Sequence, residues 1–108
     1  MKTLLDKYAI LQEIKRRLAE VHGERLKGVI LYGSVARGEE NEDSDIDVLV
    51  LLEGPIQLMR DIQKNNRAVF DLSLELGHPI SAKPADYERF QTYECPLYIN
   101  VKREGIAA

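Results

Sequence analysis

Two aspartates stand at the start of the most apolar stretch of this 108-residue chain, and their placement strongly constrains the fold. Asp45 and Asp47 are separated by Ile46, and the segment 48–52 that follows contains only valine and leucine. Consecutive apolar residues of this kind are typical of a strand covered on both faces, in the middle of a sheet. Because residues i and i+2 of a strand point to the same side, about 6.5 Å apart along the chain, the two carboxylates are expected to project together.

The rest of the chain predicts a single small α/β (α+β) domain over residues 1–108. The predicted elements, in chain order, are helix 3–22, strand 28–33, strand 45–52, helix 55–76, strand 79–84 and helices 85–93 and 96–104. The segment 71–76, "DLSLEL", also alternates like a strand, so a strand there is the alternative to the end of the long helix. The predicted order is α-β-β-α-β-α-α, a small mixed sheet with flanking helices.

Composition excludes several classes of function. The chain has 15 lysines and arginines against 18 acidic residues, a net charge of −3, so no DNA partner is expected. No apolar run is long enough to span a membrane, and the charged N-terminal segment does not resemble a signal peptide. Cys95 is the single cysteine, which excludes a disulfide framework. A cytoplasmic location is therefore expected.

A second group of residues precedes the aspartates and is suited to binding phosphate. Gly33 ends the first predicted strand and allows the backbone to approach a ligand closely. Ser34 offers a hydroxyl and a backbone N–H at the start of a predicted helical turn, which favours anions. Arg37, three residues further on, has a guanidinium suited to a forked contact with phosphate. If the two strands are neighbours, these residues and the aspartates meet at one pocket.

The stretch "LYGSVARGEENEDSDIDVLV" resembles the signature of nucleotidyltransferases of the DNA polymerase beta superfamily. In both, Gly-Ser is followed by a spacer of ten or so residues and by Asp-x-Asp in an apolar strand. The details "GS-x-ARG" and "SDIDVLV" resemble the minimal nucleotidyltransferase branch. The resemblance implies that Ser34, with Gly33, binds the triphosphate of ATP or another NTP, and Arg37 is expected beside them from its chemistry alone. It also implies that Asp45 and Asp47 are catalytic and coordinate one or two Mg²⁺ ions.

The same resemblance implies a function and a partner. Minimal nucleotidyltransferases are often encoded beside an all-helical protein of the HEPN type, with which they form an antitoxin and toxin pair. The expected reaction transfers a nucleoside monophosphate, AMP in the first place, to a hydroxyl of that partner. The alternative is a catalytically weak or inactive nucleotide-binding antitoxin that neutralises the toxin by binding it. A homo-oligomer is also left open.

The family usually places a third carboxylate, a metal ligand and base, on the next strand of the sheet. If that strand is 79–84, Ser81 or Lys83 takes the position and no acid is present. If the strand instead lies within 70–76, Asp71 or Glu75 is available. If the strand lies within 70–76, Asp71 is the preferred candidate for a third catalytic carboxylate.

Overall fold

Strands and helices make up most of residues 6–108, the part of the chain that the computed structural model describes. In chain order they are α1 (Lys7–His22), β1 (Leu26–Tyr32), α2 (Gly33–Arg37), β2 (Ile46–Leu52), α3 (Leu58–Leu76), β3 (Ile80–Asp86), α4 (Tyr87–Thr92), α5 (Pro96–Glu104) and β4 (Ile106–Ala107). A 3₁₀ turn, Gly23–Arg25, joins α1 to β1. Within residues 6–108, none of the helices has the length and apolar character needed to cross a bilayer.

The sheet is mixed, and its strands lie in the order β3-β2-β1-β4. β2 runs parallel to β3 and antiparallel to β1, while β4 adds a two-residue antiparallel pair to the other edge of β1. Every residue of β2 except Asp47 is buried. The apolar run therefore forms a central strand, as the sequence predicts.

Alternate residues of β2 enter two separate hydrophobic cores. Val48, Val50 and Leu52 face a core that α1 and α3 complete. Leu49 and Leu51 face a second core, to which α4 and α5 contribute Phe90 and Val101 respectively. Asp47 lies on the same side of the strand as Leu49, because side chains two residues apart share a face. The position and direction of Asp47 are thus fixed by packing on both faces of the sheet.

A buried polar chain ties α1, α3 and β3 together. The Asn65 amide nitrogen donates to the Ala82 carbonyl at 3.0 Å. This orientation leaves the Asn65 Oδ1 atom to accept a hydrogen bond from His22 Nε2 at 2.6 Å. Both side chains are buried, and the contact holds the C-terminal end of α1 against the middle of α3.

The predicted order of elements and the mixed sheet are confirmed, with three corrections. Residues 71–76 are helical, so the strand alternative for "DLSLEL" is wrong; Val69 and Leu72 are both buried on one side of α3. β3 continues to Asp86 because it follows the full length of β2. β4 was not predicted, since a two-residue strand has no periodic pattern. Residues 3–5 of the first predicted helix lie outside the described residues.

We expect Asn65→Ala to lower the free energy of unfolding by roughly 2–4 kcal/mol, because it leaves buried groups on His22 and Ala82 without hydrogen bonds. Asn66→Ala is the matched control, since Asn66 is the next residue of α3 and is exposed. Its effect should stay within about 0.5 kcal/mol. Urea unfolding of both variants measures the difference, and equal losses would show that the buried chain contributes nothing specific.

Candidate active site

The β1–α2 turn brings the backbone of Gly33 against the Asp47 side chain. Tyr32, the last residue of β1, pairs with Asp47 across the two strands, and Gly33 follows with a φ of +78°. A Cβ atom at Gly33 would lie 2.5 Å from Asp47 Oδ2 and 3.4 Å from Asp47 Cβ. Both the backbone conformation and this contact therefore require glycine. The predicted meeting of the glycine turn and the aspartates is present.

Asp45 and Asp47 form an electrostatically coupled pair. Asp45 is exposed just before β2, whereas Asp47 is half-buried. Burial raises the pKa of Asp47, and the negative charge of Asp45 raises it further. The positive charges of Lys83 and Arg37 act in the opposite direction without cancelling the rise in pKa. The fold thus holds the Asp47 carboxylate at a cost in free energy, to which burial contributes more than the charge of Asp45.

Helix α2 positions Ser34 and Arg37. Val35 and Ala36 are buried and anchor this short helix in the sheet. Ser34 is half-buried directly after Gly33, and its carbonyl accepts the Glu39 backbone N–H at 2.9 Å.

The Arg37 guanidinium is within electrostatic reach of Asp47, but it is already engaged by carboxylates. It donates to Glu39 Oε1 at 2.9 Å and to Glu104 Oε1 at 3.2 Å. Glu104 is the last residue of α5, so this contact joins the glycine turn to the C-terminal helix. Sequence reasoning did not identify Glu104, because it lies 67 residues from Arg37.

The position beside Asp47 on the neighbouring strand carries no acid. Ser81 is the register partner of Asp47, and Lys83 lies two residues further along the same face of β3. Over residues 6–108, no group of three or more histidine, cysteine or acidic side chains could hold a metal ion. The carboxylates that the structure brings to the site are therefore Asp45 and Asp47.

The structure does not bring Asp71 to this pair. Asp71 and Glu75 are exposed on α3, whose buried side packs against Val48 and Val50. Asp47 points to the opposite face of the sheet. The expectation that Asp71 supplies a third carboxylate is corrected, because it required residues 70–76 to form a strand.

Tyr32 is a further residue of the site that sequence reasoning treated only as part of an apolar strand. Burial raises the pKa of its phenol, and the charge of Asp47 raises that pKa further. Its hydroxyl is buried and has no hydrogen-bond partner among residues 6–108. The sequence could have indicated Tyr32 as a site residue, because it is an aromatic residue directly before the Gly-Ser pair.

A cavity of about 470 Å³ lies away from this site. Its lining includes Lys27, Glu53 and Asp86. Glu53 directly follows β2, while Asp47 is near the start of that strand. The cavity and the aspartate pair therefore lie at opposite ends of β2.

The fold and the site together define a protein of the nucleotidyltransferase class. A family model described as "Nucleotidyltransferase domain" matches residues 11–107, so the chain belongs to this family.

The most informative relatives are archaeal. The protein adenylyltransferase MntA of Thermococcus cleftensis is 43% identical over 85 residues, which cover 77% of this chain and 84% of that protein. A candidate protein adenylyltransferase of Methanocaldococcus jannaschii, MJ0126, is 39% identical over 66 residues. That alignment covers 61% of this chain and 65% of the relative, slightly less than two thirds of its length.

Solved structures share the fold at lower sequence identity. A toxin–antitoxin structure with AMP-PNP superposes with a TM-score of 0.63 at 20% identity, covering 90% of this chain and 72% of that chain. A variant of the toxin–antitoxin MntA–HpeT gives a TM-score of 0.62 at 18% identity, covering 96% of this chain and 72% of that chain. At these identities the likeness concerns the fold.

We expect Gly33→Ala to be more destabilising than Gly38→Ala. Both glycines have positive φ, so each alanine should cost roughly 1–2 kcal/mol in backbone strain. A Cβ at Gly38 meets nothing within 4 Å, whereas at Gly33 it meets the Asp47 carboxylate. Overpacking of this kind should add about 1–3 kcal/mol. Urea unfolding measures the stability, and carbon NMR of the Asp47 carboxyl should report a shift only in the Gly33 variant. Equal losses without that shift would contradict the close approach.

Proposed function

We propose that this chain is a Mg²⁺-dependent nucleotidyltransferase that moves AMP from ATP to a hydroxyl group of a partner protein. The observation that carries the proposal is the coupled pair of Asp45 and Asp47 against the Gly33 turn. Such a pair combines a site for a hard cation with a backbone position that a polyphosphate can approach closely.

The residues present fit a divalent cation. Burial raises the pKa of Asp47 and the charge of Asp45 raises it further, so a cation bound at the pair would offset both effects. Mg²⁺ is commonly held by one or two carboxylates together with substrate phosphates. Asp45 and Asp47 would hold it here. When bound, the ion supplies neutralisation of charge on the phosphates and orientation of the attacking and leaving oxygens.

Gly33, Ser34 and Arg37 would hold the triphosphate. The half-buried turn at Gly33 has no side chain to exclude a phosphate, and Ser34 follows it with a hydroxyl donor. Arg37 is itself exposed, and its contacts with Glu39 and Glu104 are surface ion pairs of small net energy. A phosphate can therefore replace these glutamates as the partner of the Arg37 guanidinium.

The reaction is a displacement at the α-phosphorus of ATP. The acceptor hydroxyl oxygen forms a bond to that phosphorus, the bond to the bridging α–β oxygen breaks, and pyrophosphate leaves. The hydroxyl proton passes to solvent or to a nearby carboxylate. The chain assists mainly by alignment of the reactants and by electrostatic stabilisation, as in other phosphoryl transfers.

The choice of AMP and of a protein acceptor is supported by the relatives. The Thermococcus cleftensis protein, which this chain covers over 84% of its length, is named a protein adenylyltransferase. The superposed structures are toxin–antitoxin structures, one with AMP-PNP. We therefore infer that the acceptor is a helical toxin of the HEPN type and that this chain is its antitoxin.

A second candidate function is neutralisation of the toxin by binding alone. It is favoured by the neighbouring strand, where Ser81 and Lys83 lie at the position at which a third carboxylate would accept the proton of the attacking hydroxyl. A chain with two aspartates can hold nucleotide and cation while transferring AMP slowly or not at all.

An assay with ATP labelled at the α-phosphate, Mg²⁺ and the HEPN-type protein encoded beside this chain separates the two functions. We expect label on the partner with wild type, and a loss of at least about 100-fold with Asp45→Asn or Asp47→Asn. Glu24→Gln is the control, because Glu24 is an exposed acid in the turn before β1.

Two results would count against the primary proposal, and a third tests the assay itself. Label transfer that survives both asparagine substitutions would contradict the assignment of the aspartates. Neutralisation of the partner without label in wild type would establish binding as the function. Loss of transfer with Glu24→Gln as well would show that the assay is not reporting the site.

A further inference from the structure

The outward side of α3 carries a row of exposed apolar side chains. Met59, Phe70 and Leu74 are 68%, 59% and 65% exposed. Together with Gln63 they are spaced by four, seven and four residues, which places them on one side of the helix. Single exposed apolar residues are common on protein surfaces, but an aligned row is typical of a contact surface. We call Met59, Gln63, Phe70 and Leu74 the outer row of α3.

A flank of charged residues runs beside the outer row and changes sign along the helix. Its N-terminal half carries Arg60, Lys64 and Arg67, and its C-terminal half carries Asp71 and Glu75. None of the ion pairs found within residues 6–108 involves these five side chains. By contrast, charged residues of α1 pair with one another at three contacts.

The order of these charges does not stabilise the helix itself. The helix dipole favours acidic residues near the N-terminus and basic residues near the C-terminus. This flank of α3 has the reverse order. Solubility would be served equally by either order, so the charge gradient requires another explanation.

We propose that α3 pairs with α3 of a second copy of this chain, in antiparallel orientation about a two-fold axis. A register centred near Arg67 brings Arg60 opposite Glu75 of the second copy, and Lys64 opposite its Asp71. Under two-fold symmetry the same flank of both helices meets, so each contact occurs twice. The charge gradient is therefore complementary to itself only in the antiparallel arrangement.

The same register brings the two outer rows against each other. Leu74 of one copy lies two residues, about 3 Å along the helix, from the position opposite Met59 of the other, and Phe70 lies the same distance from the position opposite Gln63. α3 has 19 residues and is therefore about 28 Å long. A single helix pair of this length forms a small interface of the weak, reversible class.

Pairing through α3 leaves the candidate active site open. The buried side of α3 covers the face of the sheet that contains Val48 and Val50, whereas Asp47 points to the opposite face. The dimer is thus independent of the proposed catalytic function, and each can be tested without the other.

Sedimentation equilibrium of the full chain, from about 1 to about 500 μM, tests the proposal. Wild type should dimerise reversibly. Arg60→Glu with Lys64→Glu places acids opposite Asp71 and Glu75, and should weaken dimerisation by at least about 10-fold. Asp71→Lys with Glu75→Lys should do the same. All four substitutions together should restore the dimerisation constant to within about threefold of wild type, because complementarity returns.

A second pair of variants separates the outer row from other exposed apolar residues. Phe70→Ser should weaken the dimer, whereas Ile99→Ser, at a 44% exposed position on α5, should not. A wild type that is monomeric throughout would overturn the proposal, as would a fourfold variant that fails to recover. A dimer unaffected by Phe70→Ser, with loss of binding to the HEPN-type protein instead, would assign the outer row to that partner.

Discussion

The burial of the Asp47 carboxylate beside the charge of Asp45 is the constraint on which the rest of the site depends. The Asp47 carboxylate cannot move away freely, because β2 is central and its alternate residues are fixed in two separate cores. The Gly33 backbone lies against the Asp47 side chain and limits its movement toward β1. Burial and the neighbouring charge together raise the pKa of Asp47, so the folded chain stores unfavourable energy that a bound cation would relieve.

The sequence predicted the parts of the fold that repeat a pattern. The unbroken apolar run identified β2 as central, and regular apolar spacing identified α1. The ambiguity in residues 70–76 was real, since alternation and helical spacing coexist there; packing of Val69 and Leu72 against the sheet decides for the helix. β4 depends on the free edge of β1, where Ile30 and Leu31 pair with two residues that have no pattern of their own.

For the site, local spacing predicted what the chain brings together over a few residues. The Gly-Ser turn and the Asp-x-Asp pair meet because β1 and β2 are antiparallel neighbours joined by one loop. The influence of Lys83 arises from parallel pairing with β3, and the contact of Arg37 with Glu104 arises from docking of α5. These contacts depend on tertiary structure, so no local sequence motif predicts them. The sequence predicted no third acid beside Asp47 if the next strand of the sheet was 79–84, and β3 is that strand.

The most direct measurement is the free energy of unfolding of wild type and Asp47→Asn, with and without Mg²⁺, as a function of pH. An acid whose folded pKa is raised lowers stability as pH rises through that value. Without a divalent ion, we expect Asp47→Asn to be the more stable protein at neutral pH and its advantage to vanish below about pH 4. Millimolar Mg²⁺ should stabilise wild type alone. Equal stabilities of the two proteins at neutral pH would contradict the unfavourable burial of the Asp47 charge. Equal stabilisation of both proteins by Mg²⁺ would contradict a cation site at Asp47.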